Sequence, residues 1–385
     1  MRFPAVWLIT LTGCLALEEF PANDSTPRGS VEMGVKHERK PGNIGKRALD
    51  DIYGSYSIVF AVGTPKQAMQ ALLDTGSSDL WVNTPESGLS PSFNPDNSDT
   101  FKKNNTAFDI RYGSGSASGE WATDVVSISK TDVKGQSIGV VQQPEAGQAI
   151  FGIGLIENES VDGNSYLNFP ANMKAQGHIQ YNAYSLYLDN LQASTGRVLF
   201  GGVDSGKYEG TLYTMPLIDE AAFYVANTDI TVGGDTMIDE PVPTLLDSGT
   251  TFAYLPRKIA ERIAGKLGAT YHSGTGLYFL DEKNDNQPDF TFDFLGAKIN
   301  VPSYEMVIDS YQIIDGNPPK KYVLGVVPTD EAPYILGDTF LRSAYVLYDL
   351  EKKEIAIAQA SYSSSSNIQV IQDSIPGTSS APQRP

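Results

Sequence analysis

Cysteine and histidine are scarce in this sequence. Cys14 is the single cysteine among 385 residues, and the three histidines lie far apart, at His37, His178 and His272. One thiol can form neither an internal disulfide nor a cysteine-based zinc site, and isolated histidines do not build a metal centre. The sequence therefore predicts no metal and no other cofactor, and a fold held together by burial of its core alone.

Basic residues are few relative to acidic ones. The chain has 28 Lys and Arg residues against 46 Asp and Glu residues, a formal charge of −18. An acidic excess of this size argues against nucleic acid and against an anionic membrane surface as partners. The 41% of hydrophobic residues can bury a large core, and 36 glycines with 23 prolines indicate many turns. We therefore expect a β-rich protein of about two domain-sized units.

The apolar run at the N-terminus is too short to span a bilayer comfortably. Residues 1–17 place Arg2 before an apolar stretch that contains Cys14 and ends before two acidic residues, the layout of a secretory signal peptide. A buried helix or strand is the alternative. Removal of this segment would leave a secreted, extracellular chain without any cysteine.

Residues 18–47 are polar and end in the dibasic pair Lys46-Arg47. After that pair the pattern changes to strand-like alternation, which predicts a propeptide cut after Arg47. Residues 1–47 contain seven basic and five acidic residues, which leaves 21 against 41 and a charge of −20. A basic propeptide would be electrostatically matched to the acidic mature part and would bind it as a partner within the same chain. The alternative interpretation of residues 18–47 is a disordered N-terminal linker.

The C-terminal residues 363–385 are rich in serine and proline and lack an apolar end. Such a composition is typical of a flexible tail and provides no signal for a lipid anchor. We expect no membrane anchor here. The segment 256–267 has Pro256 in its first turn and apolar residues at helical spacing, which predicts a surface helix.

An internal duplication is the most informative feature of the sequence. Residues 71–81 read ALLDTGSSDLW and residues 244–254 read TLLDSGTTFAY. Both segments contain Leu-Leu-Asp, a hydroxyl residue, glycine and two further hydroxyl residues. The repeat predicts two homologous lobes that each contribute one aspartate, Asp74 and Asp247.

The residues of each repeat are suited to acid–base chemistry. The two leucines predict a buried strand with the aspartate at its tip, and Gly76 and Gly249 allow a tight turn. Facing carboxyls cannot both ionise easily, so they would share one proton and could activate a water between them. A single Asp-Thr-Gly or Asp-Ser-Gly is more often an ordinary turn, but two copies in matched contexts favour the catalytic interpretation.

The sequence resembles pepsin-family aspartic proteases, and most closely the fungal secreted candidapepsins and yapsins. The resemblance covers residues 53–362 and rests on DTGSSDLWV (74–82), YGSGSASGEW (112–121), AYSLYLD (183–189), LFGGVD (199–204), LLDSGTTFAYLP (245–256) and ILGDTFLRSAYVLYDL (335–350). It implies an all-β bilobal fold of two β-barrel-like lobes, at residues 48–216 and 217–362, with the cleft between them.

The resemblance also implies roles for individual residues. Asp74 and Asp247 match the catalytic pair, and the adjoining turn residues would support it. These are Thr75, Gly76, Ser77, Ser248, Gly249 and Thr250. Tyr112, Gly113 and Ser114 match the flap, and their glycine-rich context already predicts a hairpin tip. Trp81 matches the tryptophan that contacts the flap tyrosine, and Leu72 matches a substrate-pocket residue, although core packing explains Leu72 equally well.

The expected protein is thus a monomeric aspartic endopeptidase, made as a secreted zymogen, that cleaves proteins or peptides in acid and binds pepstatin-like transition-state inhibitors. Asn23, Asn104 and Asn158 fit the N-glycosylation pattern, although unmodified loops are equally compatible. Two alternatives stay open. One is a catalytically silent relative that binds peptides, and the other is a processing protease that prefers basic residues.

Overall fold

The computed structural model describes residues 26–38, 55–113, 115–161, 165–193, 195–282, 287–312, 314 and 318–382. Strands predominate among them, which confirms the all-β prediction. The expected signal peptide, Cys14, Asn23, Lys46, Arg47 and Ser114 lie outside the described residues.

The largest sheet has 14 strands in the described part of the chain and contains segments from both ends of the sequence. Numbered along the whole chain, its strands are β1 (Val31–Glu38), β2 (Ser55–Val62), β3 (Gln67–Asp74), β4 (Leu80–Asn83), β5 (Lys102–Tyr112), β6 (Gly115–Ile128), β7 (Thr131–Pro144), β8 (Ile150–Gly152), β9 (Ala183–Leu188), β10 (Thr195–Phe200), β12 (Tyr208–Pro216), β26 (Ala344–Asp349), β27 (Glu354–Ala360) and β29 (Thr378–Ser380). Their spatial order is β29-β12-β27-β26-β9-β10-β1-β2-β3-β8-β4-β7-β6-β5.

Three smaller sheets form most of the C-terminal lobe. The five-stranded sheet contains β13 (Tyr224–Asn227), β16 (Val242–Leu246), β25 (Ile335–Leu336), β17 (Ala253–Pro256) and β24 (Val326–Thr329). One four-stranded sheet contains β15 (Asp235–Thr236), β14 (Asp229–Val232), β20 (Phe290–Phe294) and β21 (Ala297–Val301). The other contains β18 (Thr270–His272), β19 (Leu277–Leu280), β23 (Tyr322–Leu324) and β22 (Val307–Asp309). Finally, β11 (Gly202–Asp204) pairs with β28 (Ile368–Val370).

Helices are short in the described residues. They are α1 (Phe169–Ala175), α2 (Arg257–Leu267), α3 (Ser303–Met306) and α4 (Asp338–Leu341). Helix α2 confirms the predicted surface helix, because it buries only one face, with Ile259 and Ile263 inside, and ends at Gly268, whose φ of 71° few other residues adopt. Single 3₁₀ turns occur at Pro85–Ser87, Pro95–Asn97, Ile156–Asn158 and Ser310–Gln312.

The sequence duplication reappears as duplicated topology. In the N-terminal lobe, β3 lies parallel to β8, with Leu73 opposite Phe151, and β8 is antiparallel to β4. In the C-terminal lobe, β16 lies parallel to β25, with Leu246 opposite Leu336, and β25 is antiparallel to β17. Each aspartate repeat therefore builds the same three-stranded unit.

Residues 31–38 form a strand of the fold. The sequence had instead predicted that residues 18–47 are polar and lack periodicity. Residues Val31–Lys36 of β1 pair with β10, and Lys36–Glu38 pair with β2. Val31, Met33 and Val35 are buried in the main core. Their alternation is the strand signal that the sequence analysis overlooked.

The tail was also predicted incorrectly, because residues 363–382 are docked rather than flexible. Strand β28 pairs with β11, and β29 runs parallel to β12. Asn367 donates its backbone N–H to the Asp204 carboxylate at 2.6 Å, and the Ile371 side chain is fully buried. A few apolar residues within a serine-rich context are sufficient to fix the segment, since each covers an exposed part of the sheet.

The two lobes are joined by more than apolar contacts. Glu305 and Arg342 form an ion pair in which both side chains are fully buried. The other carboxylate oxygen of Glu305 accepts the backbone N–H of Leu191, on the loop between β9 and β10, at 3.0 Å. The expectation that core burial alone holds the protein together was therefore incomplete.

We expect Ile371→Ala to lower the free energy of unfolding by about 2 to 5 kcal/mol, because it leaves a cavity under the docked tail. Gln369→Ala, two residues earlier in β28 and exposed, is the matched control and should have little effect. Urea unfolding at acidic pH measures both. Equal, negligible effects would mean that the tail does not stabilise the fold.

Candidate active site

The two repeat aspartates occupy the same position in their respective lobes. Asp74 is the last residue of β3, and Asp247 directly follows β16. The preceding leucines, Leu73 and Leu246, are fully buried, and they anchor each strand so that its tip projects into the space between the lobes. The two aspartates are only 5% and 7% exposed.

Each carboxylate accepts two hydrogen bonds from its own turn. The Asp74 carboxylate accepts the backbone N–H of Gly76 at 2.8 Å and the hydroxyl of Ser77. The Asp247 carboxylate accepts the corresponding bonds from Gly249 at 2.8 Å and Thr250 at 2.6 Å. The identical patterns fix the two carboxyl groups in equivalent orientations.

The glycines after the aspartates let the two turns approach each other. A Cβ atom on Gly76 would lie 2.7 Å from Cγ of Asp247, and one on Gly249 would lie 2.5 Å from Oδ1 of Asp74. Any side chain at either position would displace the opposite carboxyl group. The structure therefore brings Asp74 and Asp247 together face to face.

The hydroxyl residues between aspartate and glycine connect the lobes. Thr75 donates its hydroxyl to the carbonyl of Leu246 at 3.0 Å, and Ser248 donates its hydroxyl to the carbonyl of Leu73 at 2.8 Å. In return, the backbone N–H of Ser248 donates to Oγ1 of Thr75 at 3.0 Å, and that of Thr75 donates to Oγ of Ser248 at 3.2 Å. Four buried hydrogen bonds thus hold the two turns in register.

This arrangement alters the acidity of the pair. Burial, followed by the negative charge of Asp247, raises the pKa of Asp74 to about 8. The hydrogen bonds from Ser77 and Gly76 oppose the increase but do not cancel it. The pair therefore keeps one shared proton across the acidic and neutral range.

A hairpin of β5 and β6 covers the pair. Tyr112 lies at its tip and accepts a hydrogen bond from Nε1 of Trp81 at 2.8 Å. Burial and the nearby Asp74 charge raise the pKa of the Tyr112 hydroxyl well above its usual value, so it remains a neutral hydrogen-bonding group. Gly113 beside it is exposed, which leaves this part of the hairpin without side-chain packing.

The cleft between the hairpin and the aspartates has a volume of 790 Å³. Apolar residues on its wall include Leu72, Ile110 and Ile150, all largely buried. Leu72 belongs to the core and also lines the cleft. Its position is therefore compatible with both interpretations, core packing and a substrate-pocket residue. An open, partly apolar trough of this kind suits an extended peptide.

A second group of acidic residues, which the sequence did not indicate, lies behind the hairpin. Asp79 is fully buried and accepts hydrogen bonds from the Tyr166 hydroxyl at 2.6 Å and the Ser160 N–H at 2.9 Å. Burial raises the pKa of Asp79 and raises that of Glu159 to about 8. Asp79 could have been noticed within DTGSSDLW, whereas Glu159 stands within the glycosylation pattern of Asn158, which gives no indication of a buried acid.

Within the described ranges, no group of three or more His, Cys, Asp or Glu side chains is arranged to hold a metal ion. The two turns present paired carboxyls, hydroxyls and backbone amides to each other.

Two equivalent Asp-hydroxyl-Gly turns facing each other between β-rich lobes define a bilobal aspartic protease. The model of the eukaryotic aspartyl protease family matches residues 55–360, and the chain belongs to this family. It is therefore an aspartic-type endopeptidase, and the predicted resemblance is confirmed.

Several fungal relatives share most of the chain. The acid protease of Saccharomycopsis fibuligera is 39% identical over 331 residues, which cover 82% of this chain and 83% of the relative. Aspartic proteinase 3 of Saccharomyces cerevisiae is 36% identical over 395 residues, covering 94% and 68%. Secreted aspartic protease 4 of Candida albicans is 36% identical over 352 residues, covering 86% and 83%. Among solved structures, the aspartic proteinase from Irpex lacteus has a TM-score of 0.72 at 23% identity, covers 88% of this chain and confirms the fold.

We expect Glu159→Gln to stabilise the protein at neutral pH and to leave its stability unchanged in acid. A folded-state pKa near 8 exceeds the unfolded value of about 4.3. Folded Glu159 therefore keeps a proton that the unfolded chain releases, so stability declines as pH rises between these two values. The glutamine keeps the oxygen that accepts the Tyr166 N–H but does not titrate.

Thermal unfolding at pH 4 and pH 8 measures this effect, in an Asp247→Asn background that suppresses self-digestion. Glu331→Gln is the matched control, since Glu331 lines the same cleft but is exposed. A Glu159→Gln variant that is equally destabilised at both pH values would contradict the prediction.

Proposed function

We propose that the protein hydrolyses peptide bonds at acidic pH with a water molecule activated between Asp74 and Asp247. The observation that carries the proposal is the pair itself: two buried carboxyl groups, held face to face, that share one proton. A neutral acid beside a carboxylate supplies both partners of general acid–base catalysis.

The reaction follows from this protonation state. The Asp247 carboxylate takes a proton from water as the water oxygen bonds to the peptide carbonyl carbon. Asp74 gives its proton to the carbonyl oxygen, so the carbon becomes tetrahedral and carries two hydroxyl groups. Asp247 then returns its proton to the amide nitrogen while Asp74 recovers one from a hydroxyl. The carbon–nitrogen bond breaks and releases an amine and a carboxylic acid.

The hairpin would complete the site. Gly113 and its neighbours can approach a bound peptide backbone closely, while Tyr112 is held in place by Trp81. Closure over the aspartates would exclude bulk water, which strengthens hydrogen bonds to the reacting carbonyl. Ser114 belongs to the same proposed flap, and pepstatin-like inhibitors that imitate the tetrahedral carbon should bind there.

We further propose that the chain is secreted as a zymogen. The support is the predicted signal peptide of residues 1–17, the propeptide of residues 18–47 ending at Lys46-Arg47, and relatives named as secreted aspartic proteases. In the described residues, no helix has the length and apolar character needed to cross a membrane. The expected lobes, 48–216 and 217–362, would then form a monomeric mature enzyme.

The charge of the cleft favours one narrower substrate class. Glu157 and Glu331 line it, against Arg111 alone among the basic residues of the described chain, whereas Glu159 keeps its proton and adds no charge there. This acidic wall could accept lysine or arginine side chains near the scissile bond, in addition to apolar side chains on Leu72 and Ile150. Digestion of a peptide library at several acidic pH values would show which class is cleaved faster.

We expect Asp74→Asn and Asp247→Asn each to lower kcat by at least about 10³-fold, because each removes one partner of the proton transfer. Asparagine is nearly the same size, so thermal unfolding should show a folded protein. Thr329→Ser, elsewhere on the cleft wall, provides a comparison for a mild change.

Cleavage of an unstructured protein, followed by mass spectrometry, measures this activity. Appreciable turnover by either asparagine variant would reject the assignment of the pair. Absence of turnover in the activated wild-type enzyme over the whole acidic range would favour the peptide-binding alternative.

A further inference from the structure

Two potential N-glycosylation sites within the described residues have opposite surroundings. Asn104 begins the sequence Asn-Asn-Thr, and Asn158 begins Asn-Glu-Ser. Both fit the acceptor pattern of secreted proteins, in which the glycan is attached to the side-chain nitrogen of asparagine. An active enzyme can carry a glycan only where a branched sugar does not obstruct the site.

Asn104 lies on the outer edge of the 14-stranded sheet. Strand β5 is the edge strand, and its pairing with β6 shifts register between Lys103 and Ala107. Asn105 within this bulge has a φ of 58°, and residues 102–107 are all exposed. The bulge therefore presents the Asn104 side chain to solvent at a place where no strand covers it.

Asn104 lines a groove of 670 Å³ that can receive the first sugars. The groove is also lined by the rings of Trp121 and Tyr166, whose centroids are 5.1 Å apart, and by Asp109, which can accept sugar hydroxyls. Glu159 and Ser160 line both this groove and the catalytic cleft. They form the wall between the two, so a glycan in the groove leaves the cleft open.

Asn158 lies on the other side of that wall. It ends the 3₁₀ turn Ile156–Asn158 and lines the cleft together with Asp74. Its Nδ2 donates to the carbonyl of Gly76 at 3.1 Å, and the N–H of Gly76 in turn donates to Asp74. The nitrogen that would carry a sugar therefore already holds the turn that carries Asp74, and a glycan there would lie across the cleft.

We propose that Asn104 carries an N-linked glycan, whereas Asn158 stays unmodified and is a positioning residue for the Asp74 turn. The first part rests on the proposed secretion of the chain. Besides directing sugars away from the cleft, a glycan on Asn104 would cover a sheet edge that is otherwise open to pairing with another chain.

The occupancy of both sites can be measured on the full chain secreted from a yeast host. Enzymatic deglycosylation in heavy-oxygen water labels every formerly glycosylated asparagine, and peptide mass spectrometry then resolves each site separately, Asn23 included. We expect a label at Asn104 and none at Asn158. Asn104→Gln and Thr106→Ala should both abolish the label and keep the wild-type peptidase activity.

The positioning role is tested by Asn158→Ala. Loss of one hydrogen bond should lower kcat about three- to tenfold with little change in KM. Because the Gly76 N–H is then held less firmly against Asp74, the acid limb of the pH profile should move to higher pH. Asn104→Gln, which removes an equivalent amide from the other site, is the matched control and should change neither quantity.

The outcomes separate the two proposals. A glycan on Asn158 in active enzyme, or secreted protein without one on Asn104, overturns the glycosylation assignment. An Asn158→Ala enzyme with unchanged kcat and pH profile overturns the positioning role. If Asn158→Ala does not fold, Asn158→Ser, which keeps a hydrogen-bond donor, should restore folding and part of kcat, and failure to do so counts against the role. A chain that is glycosylated at Asn104 but never cleaves peptides refutes the proposed function alone.

Discussion

The structure depends on the hydrogen bonds by which each catalytic turn holds the other. Thr75 and Ser248 reach across the lobe boundary to carbonyls of the opposing β strands, at Leu246 and Leu73. Because these strands end in the aspartates, any relative movement of the lobes would separate the two carboxyl groups. The proton shared by the pair is therefore a property of lobe docking as much as of the two residues themselves.

Lobe docking is achieved here without the disulfides that often secure secreted proteins. The 14-stranded sheet takes strands from both halves of the chain, and the buried pair of Glu305 and Arg342 connects α3, α4 and the loop at Leu191. A buried ion pair contributes little net stability, but breaking one partner is costly. The hydrogen bond that crosses between the lobes is the one from the Leu191 N–H to Glu305, so misdocked lobes would leave this buried oxygen without its donor.

The fold class and the position of the aspartates could be predicted because they depend on local signals. The two leucines before Asp74 and before Asp247, with glycine after the next residue, favour a strand tip followed by a tight turn, and both copies form one. The raised pKa of Glu159 could not be predicted, because it arises from burial by segments distant in sequence. The docked tail was missed for the same reason: the composition around Ile371 describes the segment and not the surface that it covers.

Strand β1 has a consequence for activation. It lies between β2 and β10, and six of its residues pair with β10. If the chain is cut after Arg47, β1 changes from a covalent part of the protein into a bound ligand with its own dissociation constant. Its departure would open two sheet edges at once, so the protein concentration relative to that dissociation constant, in addition to hydrolysis, would set what fraction of the enzyme is free of β1.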